Sequence, residues 1–256
     1  MKYTNNALQL SYSDTRNSKK TLLFLHYFGG SSRTWQPVIA LLASEFRCVA
    51  LDGRGWGESD APQRHEDCRV EAMAGDVRAL VTELGVSEYT LIGHSMGGKV
   101  AQLLAAGVPA GLTQLLLVAP SPLSPEPMTD DDRASMRAAW GNADTSRKTL
   151  QTIACLPLSA STTEAVIADN LRASRIAWEA WADIGSREDL SALASKIAVP
   201  TAVLSGTSDA VLSPTVLTRE VVNRIPGAAL TTIPDAGHLL PLEAPDAVAG
   251  WIHAHA

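Results

Sequence analysis

The chain has 256 residues, of which 46% are hydrophobic and 19% charged, so it can bury a core without disulfides or metals. Its formal net charge of −6 argues against nucleic acid or an anionic membrane surface as a partner, because phosphate binding needs clustered Lys and Arg. The cysteines, Cys48, Cys68 and Cys155, lack metal-ligand spacing and are predicted to be reduced thiols.

The first twenty residues are polar and mixed, unlike a signal peptide. No run approaches the roughly 20 apolar residues that a membrane-spanning helix needs. We therefore expect a cytoplasmic protein.

Short apolar runs alternate with helical patterns over the first half of the chain. Residues 8–12 alternate apolar and polar side chains and predict an edge strand. Continuous apolar runs predict strands that are covered on both faces, at 21–26, 46–51, 89–93 and 112–119. Helical spacing lies between them, at 35–43, 69–84 and 96–107. This alternation predicts βαβ units and a parallel sheet.

The pattern changes at a proline-rich junction, residues 121–127. From there to residue 197 only helices are predicted, at 130–140, 145–153, 162–184 and 188–195. Strands return at 201–205 and 228–233, with helices at 214–224 and 245–253. The simplest interpretation is one α/β core, residues 1–120 and 198–256, interrupted by a helical cap, residues 121–197.

One motif joins a predicted strand to a predicted helix: Gly93-His94-Ser95-Met96-Gly97. A turn this tight strains its central residue, so the flanking positions must be small, and two glycines meet that need. The serine is thereby exposed at the tip of the sheet, beside a backbone amide at the start of the helix. This placement predicts a nucleophile.

A serine hydroxyl needs a base within hydrogen-bond reach and an acid that orients the base. Asp209 follows the strand at 201–205, and His238 lies on a loop after the last strand, preceded by a glycine. Taken singly, Asp209 also fits a turn or helix-cap residue and His238 a loop histidine. Together they predict a Ser95–His238–Asp209 triad.

These motifs resemble the α/β-hydrolase superfamily, in its ester-hydrolase-like branch with a helical cap. The resemblance implies a doubly wound, mostly parallel, eight-stranded sheet. It also implies that Ser95 is the nucleophile, His238 the general base and then acid, and Asp209 the orienting acid. The matching stretches stand in family order, at 26–30, 52–59, 93–98, 206–209 and 237–245.

The resemblance also implies an oxyanion hole made by two backbone amides, those of Met96 and Phe28. Family members commonly have glycine directly after the histidine that corresponds to His26. This chain has Tyr27 there, which adds bulk near the predicted pocket.

Aromatic residues of the predicted cap are the remaining pocket candidates. Trp178 and Trp181 are three residues apart and share a helix face, and Trp140 lies in another predicted helix. They either bury the cap against the core or line an apolar pocket with Tyr27, and both interpretations stay open.

Three further polar residues are predicted to have structural roles. We expect His94 to pack in the core and His26 to anchor its loop. Glu243 is expected to support the final helix.

The leading hypothesis is a serine hydrolase acting on a small ester, thioester or lactone through an acyl-enzyme. By resemblance, a perhydrolase, a carbon–carbon bond hydrolase or a low-turnover small-molecule sensor fits the same triad. Haloalkane dehalogenases and epoxide hydrolases are disfavoured, because their nucleophile is an aspartate. We expect no cofactor and no metal, since there is no P-loop, paired metal-ligand motif or dinucleotide fingerprint. The expected partner is a small-molecule substrate, and the sequence leaves a homodimer open.

Overall fold

A computed structural model describes all residues from Met1 to Ala256. It contains one eight-stranded sheet with the order β1-β2-β4-β3-β5-β6-β7-β8. Strands β3 to β8 are parallel, and β2 is antiparallel to both β1 and β4. The strands are β1 (Lys2–Asn5), β2 (Leu8–Asp14), β3 (Thr21–Leu25), β4 (Arg47–Leu51), β5 (Tyr89–His94), β6 (Leu112–Val118), β7 (Thr201–Gly206) and β8 (Ala229–Ile233).

Helices cover both faces of this sheet. The helices are α1 (Gln36–Leu42), α2 (Val70–Glu83), α3 (Met96–Ala106), α4 (Asp130–Ala138), α5 (Ala143–Ile153), α6 (Ala160–Arg172), α7 (Arg175–Asp183), α8 (Pro214–Leu217), α9 (Leu240–Glu243) and α10 (Pro245–His255). One apolar core includes residues of α2 and α3, and a second includes residues of α1 and α10. The doubly wound α/β fold predicted above is therefore confirmed. None of the helices combines the length and the apolar character that crossing a membrane requires.

The central strands are apolar because both of their faces are covered. Every residue of β3, β5 and β7 is buried. The carboxyl ends of parallel strands meet at one edge of a sheet, which is where ligands bind in open α/β sheets. Helices α4 to α7, which we call the insertion helices, lie between β6 and β7 in the chain.

The edge of the sheet differs from the sequence prediction. The predicted edge strand is the second strand, β2, and the true edge is β1. The two form a hairpin through Asn6 and Ala7, both of which have positive φ angles. The side chain of Tyr3 is buried, and its hydroxyl donates a hydrogen bond to the carbonyl of Asp76 at 2.8 Å. A four-residue strand was too short to show an alternating pattern.

Two predicted helices are also wrong in detail. The single helix expected at 162–184 is two helices, α6 and α7, because the chain breaks at Ser174. The Ser174 amide donates to the carbonyl of Gly55 at 2.8 Å, and its side chain caps α7 by accepting from the amide of Ala177. The helix expected at 188–195 is a short 3-10 helix, Ser191–Lys196.

Candidate active site

Ser95 sits on a strained turn between β5 and α3, with φ of 51° and ψ of −118°. The turn is crowded on both sides. A Cβ atom at Gly93 would lie 2.5 Å from the carbonyl oxygen of Gly97, and one at Gly97 would lie 2.6 Å from that of His26. These contacts exclude larger residues and explain why glycines flank the serine.

The structure brings the three predicted catalytic side chains together. The His238 ring lies between the other two, with Nε2 2.9 Å from Ser95 Oγ and Nδ1 2.8 Å from Asp209 Oδ2. An ionised carboxylate only accepts hydrogen bonds, so Nδ1 carries the ring proton and Nε2 accepts from the serine hydroxyl. The arrangement can therefore move the serine proton onto the ring.

Asp209 is held in its charged form. Its Oδ1 accepts hydrogen bonds from the amides of Val211 at 2.8 Å and Leu212 at 2.9 Å. Burial alone would raise the pKa of Asp209, but His238 and these amides outweigh burial, and its pKa is lowered. The carboxylate can thus orient the ring and stabilise a positive charge on it.

The main chain of His238 is fixed at both of its polar groups. Its amide donates to the carbonyl of Ile153 at 2.8 Å. Its carbonyl lies 2.8 Å from Nε2 of His94, which must be the donor. Burial lowers the pKa of His94 to about 3, so this ring stays neutral at pH 7. The structure thus places His94 beside the catalytic ring, where its hydrogen bond locates the loop.

Glu243 anchors the same loop, which the sequence analysis did not foresee. The expected role of Glu243 is to support the final helix, but its buried carboxylate lies at the junction of two loops. One loop carries His238, and the other follows α5. The carboxylate accepts four hydrogen bonds at 2.8 to 2.9 Å, from the amides of Gly237, Leu239, Cys155 and Leu156. The clustering of these amides depends on loop packing that no local pattern reveals.

The two amides of the predicted oxyanion hole are both free. Met96 begins α3, where backbone amides have no partner within the helix. Neither its amide nor that of Phe28 donates to another protein group. The loop before Phe28 is anchored by His26, whose Nε2 accepts from the amide of Gly53 at 3.0 Å. Met96 directly follows the nucleophile and Phe28 lines the same cavity as Ser95, so these unpartnered donors can receive a negatively charged oxygen.

A cavity of about 340 Å³ adjoins Ser95 and His238. Three of the predicted pocket residues line it: Tyr27, Trp178 and Trp181. The same cavity exposes a residue that the sequence analysis missed, Glu126 of the proline-rich junction, which carries no recognisable motif.

The fourth pocket candidate, Trp140, does not line this cavity. It is 37% exposed, and its Nε1 donates to the carbonyl of Ala173 at 2.8 Å. The guanidinium of Arg175 lies over its ring at 5.7 Å from the centroid. The predicted role of Trp140 in the pocket is therefore corrected: it packs on the outside of the insertion helices.

Helix α6 is tied to the loop that follows β3. The side-chain Nδ2 of Asn170 donates to the carbonyl of Gly29 at 2.8 Å. The buried Asp169 carboxylate accepts from Ser31 Oγ at 2.8 Å and pairs with Arg33. The insertion helices thus contact the segment that holds one of the two free amides.

Comparisons with known proteins agree with this picture. A family model described as Alpha/beta hydrolase family matches residues 22–251. Epoxide hydrolase 4 of Mus musculus is 37% identical over 100 residues, which are 39% of this chain and only 28% of that protein.

Two solved structures show the same fold over nearly the whole chain. The enol-lactonase from Burkholderia xenovorans LB400 has a TM-score of 0.86 at 23% identity, covering 99% of this chain and 98% of its own. The esterase from Exiguobacterium antarcticum has a TM-score of 0.89 at 20% identity, covering 96% and 95%. At these identities the likeness establishes the fold and leaves the substrate open.

Proposed function

Because the chain belongs to the alpha/beta hydrolase family, we propose that it is a serine hydrolase that cleaves a small ester, thioester or lactone through an acyl-enzyme. One observation carries the proposal: the His238 ring bridges Ser95 and Asp209 at 2.9 and 2.8 Å. The serine at the nucleophile position disfavours epoxide opening through an aspartate, although one relative is named an epoxide hydrolase.

In the first half of the proposed reaction, Ser95 Oγ attacks the substrate carbonyl while His238 Nε2 takes its proton. The oxygen that becomes negative is bound by the amides of Met96 and Phe28, neither of which has to give up a hydrogen bond within the protein. Donors of this kind contribute about 3 kcal/mol each to the transition state. The imidazolium then protonates the leaving alcohol, thiol or lactone oxygen, which leaves Ser95 acylated.

In the second half, a water molecule takes the place of the leaving group. His238 accepts a proton from the water as it attacks the acyl carbon, and returns that proton to Ser95 Oγ as the acid departs. Asp209 keeps its charge throughout, in keeping with its lowered pKa. We further propose that residues 121–197 act as a cap that shapes the substrate cavity over the core formed by residues 1–120 and 198–256.

The test compares two serine variants on a short p-nitrophenyl ester. Ser95→Ala should lower kcat by at least about 10⁴-fold, since removing a triad nucleophile has effects of this size. Ser146 lines the same cavity and is 5% exposed, so Ser146→Ala is the matched control, and its kcat should stay within about tenfold of wild type. Wild-type turnover by Ser95→Ala would show that the assignment is wrong.

A further inference from the structure

The cavity next to the triad is lined by two carboxyl groups that the proposed reaction does not use, and Glu126 is the less exposed of the two. Glu126 lines the cavity together with Ser95 and His238. Its main chain is fixed, because its amide donates to the carbonyl of Ser186 at 2.8 Å and its carbonyl accepts from Arg133 at 3.4 Å. The side chain is therefore presented to the cavity by a rigid segment.

This carboxyl forms no ion pair within the protein. The buried Lys99 is close enough to act on its charge, yet the Lys99 ammonium donates to the carbonyls of Ser124 at 3.2 Å and Glu188 at 2.7 Å. Arg133 likewise donates to the carbonyl of Ala182 and to Ser186 Oγ. Both cations are thus engaged elsewhere.

One hydroxyl lies near the carboxyl. Ser121 Oγ is close enough to Glu126 to lower the pKa of its carboxyl, but it is not within hydrogen-bond distance of any partner. Burial raises the pKa of Glu126, and this effect outweighs the lowering by Ser121 and by the nearby Lys99 and Arg133 charges. The residue is half-buried, and its carboxyl oxygens accept no hydrogen bond of normal length, so a donor on a ligand in the cavity can pair with them.

The other carboxyl of the lining differs in this respect. Asp132 is exposed at the cavity rim and accepts from the amide and the hydroxyl of Thr129 at 2.9 and 2.7 Å. Water screens the charge of Asp132, and its Oδ2 already accepts both hydrogen bonds of the helix cap. The inner lining near Glu126 is otherwise rich in apolar side chains, including Trp178 and Trp181.

We propose that Glu126 selects the substrate of the hydrolase reaction proposed above. It hydrogen-bonds to a hydroxyl group that the substrate carries at a distance from the scissile bond, and it disfavours substrates with a free carboxylate there. A hydroxyl supplies the donor that the carboxyl lacks. A substrate carboxylate would place a second acid beside Glu126 in a mostly apolar cavity, with neither Lys99 nor Arg133 free to pair with it.

The test uses two sets of esters that differ only in one terminal group. The acyl set is ethyl hexanoate, ethyl 6-hydroxyhexanoate and monoethyl adipate. The alcohol set is hexyl acetate, 6-hydroxyhexyl acetate and 6-acetoxyhexanoate, so either orientation of the substrate is covered. For each ester, kcat/KM is measured by acid release with wild type, Glu126→Gln, Glu126→Leu and the control Asp132→Asn.

In at least one set we expect Glu126→Gln to raise kcat/KM for the carboxylate ester about tenfold, because the opposing charge is gone. Glu126→Leu should lower kcat/KM for the hydroxyl ester about tenfold, while the plain ester changes by less than about threefold in both variants. Asp132→Asn should change every ratio by less than about twofold. The proposal would be overturned if both Glu126 variants kept the wild-type kcat/KM ratios between the substituted esters and the plain ester. It would also be overturned if Asp132→Asn changed these ratios equally.

Two further readouts separate this inference from the proposed function. The first is the Ser95→Ala variant: if its turnover survives, the serine mechanism is refuted. The values of kcat/KM for the hydroxyl and carboxylate esters, relative to the plain ester, test only the role of Glu126. The second readout is the concentration of each ester that protects Ser95 from labelling by a fluorophosphonate. The esters of a set should show the same order of preference in this measurement as in kcat/KM. Melting temperatures show whether the Glu126→Leu protein folds. If it does not, the kcat/KM values of Glu126→Gln decide whether the proposal holds.

Discussion

The two sides of the cavity are built by different physical means. We call Phe28, Ser95, Asp209 and His238 the floor, and the insertion helices the wall. The floor is held in place by hydrogen bonds from the backbone of loops at the strand ends. For example, two backbone amides donate to the carboxylate of Asp209. The wall relies on aromatic packing, with Trp178 tilted against Phe28 at a centroid distance of 4.4 Å. The difference teaches that the sheet sets the positions of the groups that we propose to carry the chemistry, whereas the packing of the insertion helices sets the shape of the cavity.

The largest effect is expected from a substitution that disrupts the floor and leaves the wall intact. Asp209→Asn should lower kcat on a p-nitrophenyl ester by about 10⁴-fold, because an amide at this position no longer holds the correct tautomer of His238. Asp169→Asn is the matched control, since Asp169 is a buried carboxylate that ties α6 to Arg33. Its kcat should stay within about tenfold of wild type. Equal losses in both variants would contradict the division between floor and wall.

Next in size is the anchor of the histidine loop. Glu243→Ala leaves four amides without an acceptor, two of them buried and two partly buried, so the free energy of unfolding in urea should fall by about 3 kcal/mol. Glu164→Ala on the wall removes an exposed pair with Arg147 and should cost less than about 0.5 kcal/mol. A Glu243→Ala protein as stable as Glu164→Ala would refute the anchoring role.

A pH series sharpens the comparison at His94. Because its pKa is lowered from 6.5 to about 3, the unfolded chain takes up a proton below about pH 6.5 that the folded protein refuses until about pH 3. Stability therefore falls as the pH falls through this window. Relative to His94→Gln, wild type should lose about 1 kcal/mol per pH unit between about pH 5.5 and 4. Urea unfolding at several pH values measures this, and parallel curves for the two proteins would disprove a neutral His94.

The smallest effect concerns the wall itself. Trp178→Leu should raise KM for a p-nitrophenyl ester by about threefold to tenfold with little change in kcat, since apolar contact area in the cavity is lost. Trp140 lies outside the cavity, so Trp140→Leu should change KM by less than about twofold. An equal rise in KM for both variants would argue against the cavity described here.

The sequence predicted the floor because its signals are local. A serine between glycines after an apolar strand fixes the turn at Ser95, and strand ends placed Asp209 and His238 at the same edge of the sheet. The same reasoning located most strands and helices. It missed β1, since only Tyr3 among its four residues is buried.

The wall could not be predicted in the same way, because its contacts join helices that are distant in sequence. Trp140 and Trp178 both stand in predicted helices, yet only Trp178 lines the cavity, and Trp140 lies just beyond the end of α4. Glu243 and Glu126 look alike as single acidic residues. One receives four amides and the other none, which depends on how loops meet in the folded chain.

The account rests on Ser95 being the activated nucleophile, and covalent labelling tests this most directly. After treatment with a fluorophosphonate, peptide mass spectrometry of the folded wild-type protein should find one adduct, on Ser95. Labelling of His238→Ala should be slower by at least about 10³-fold, because the base is lost. Absence of an adduct on Ser95, or labelling that is equally fast without the His238 imidazole, would contradict the account.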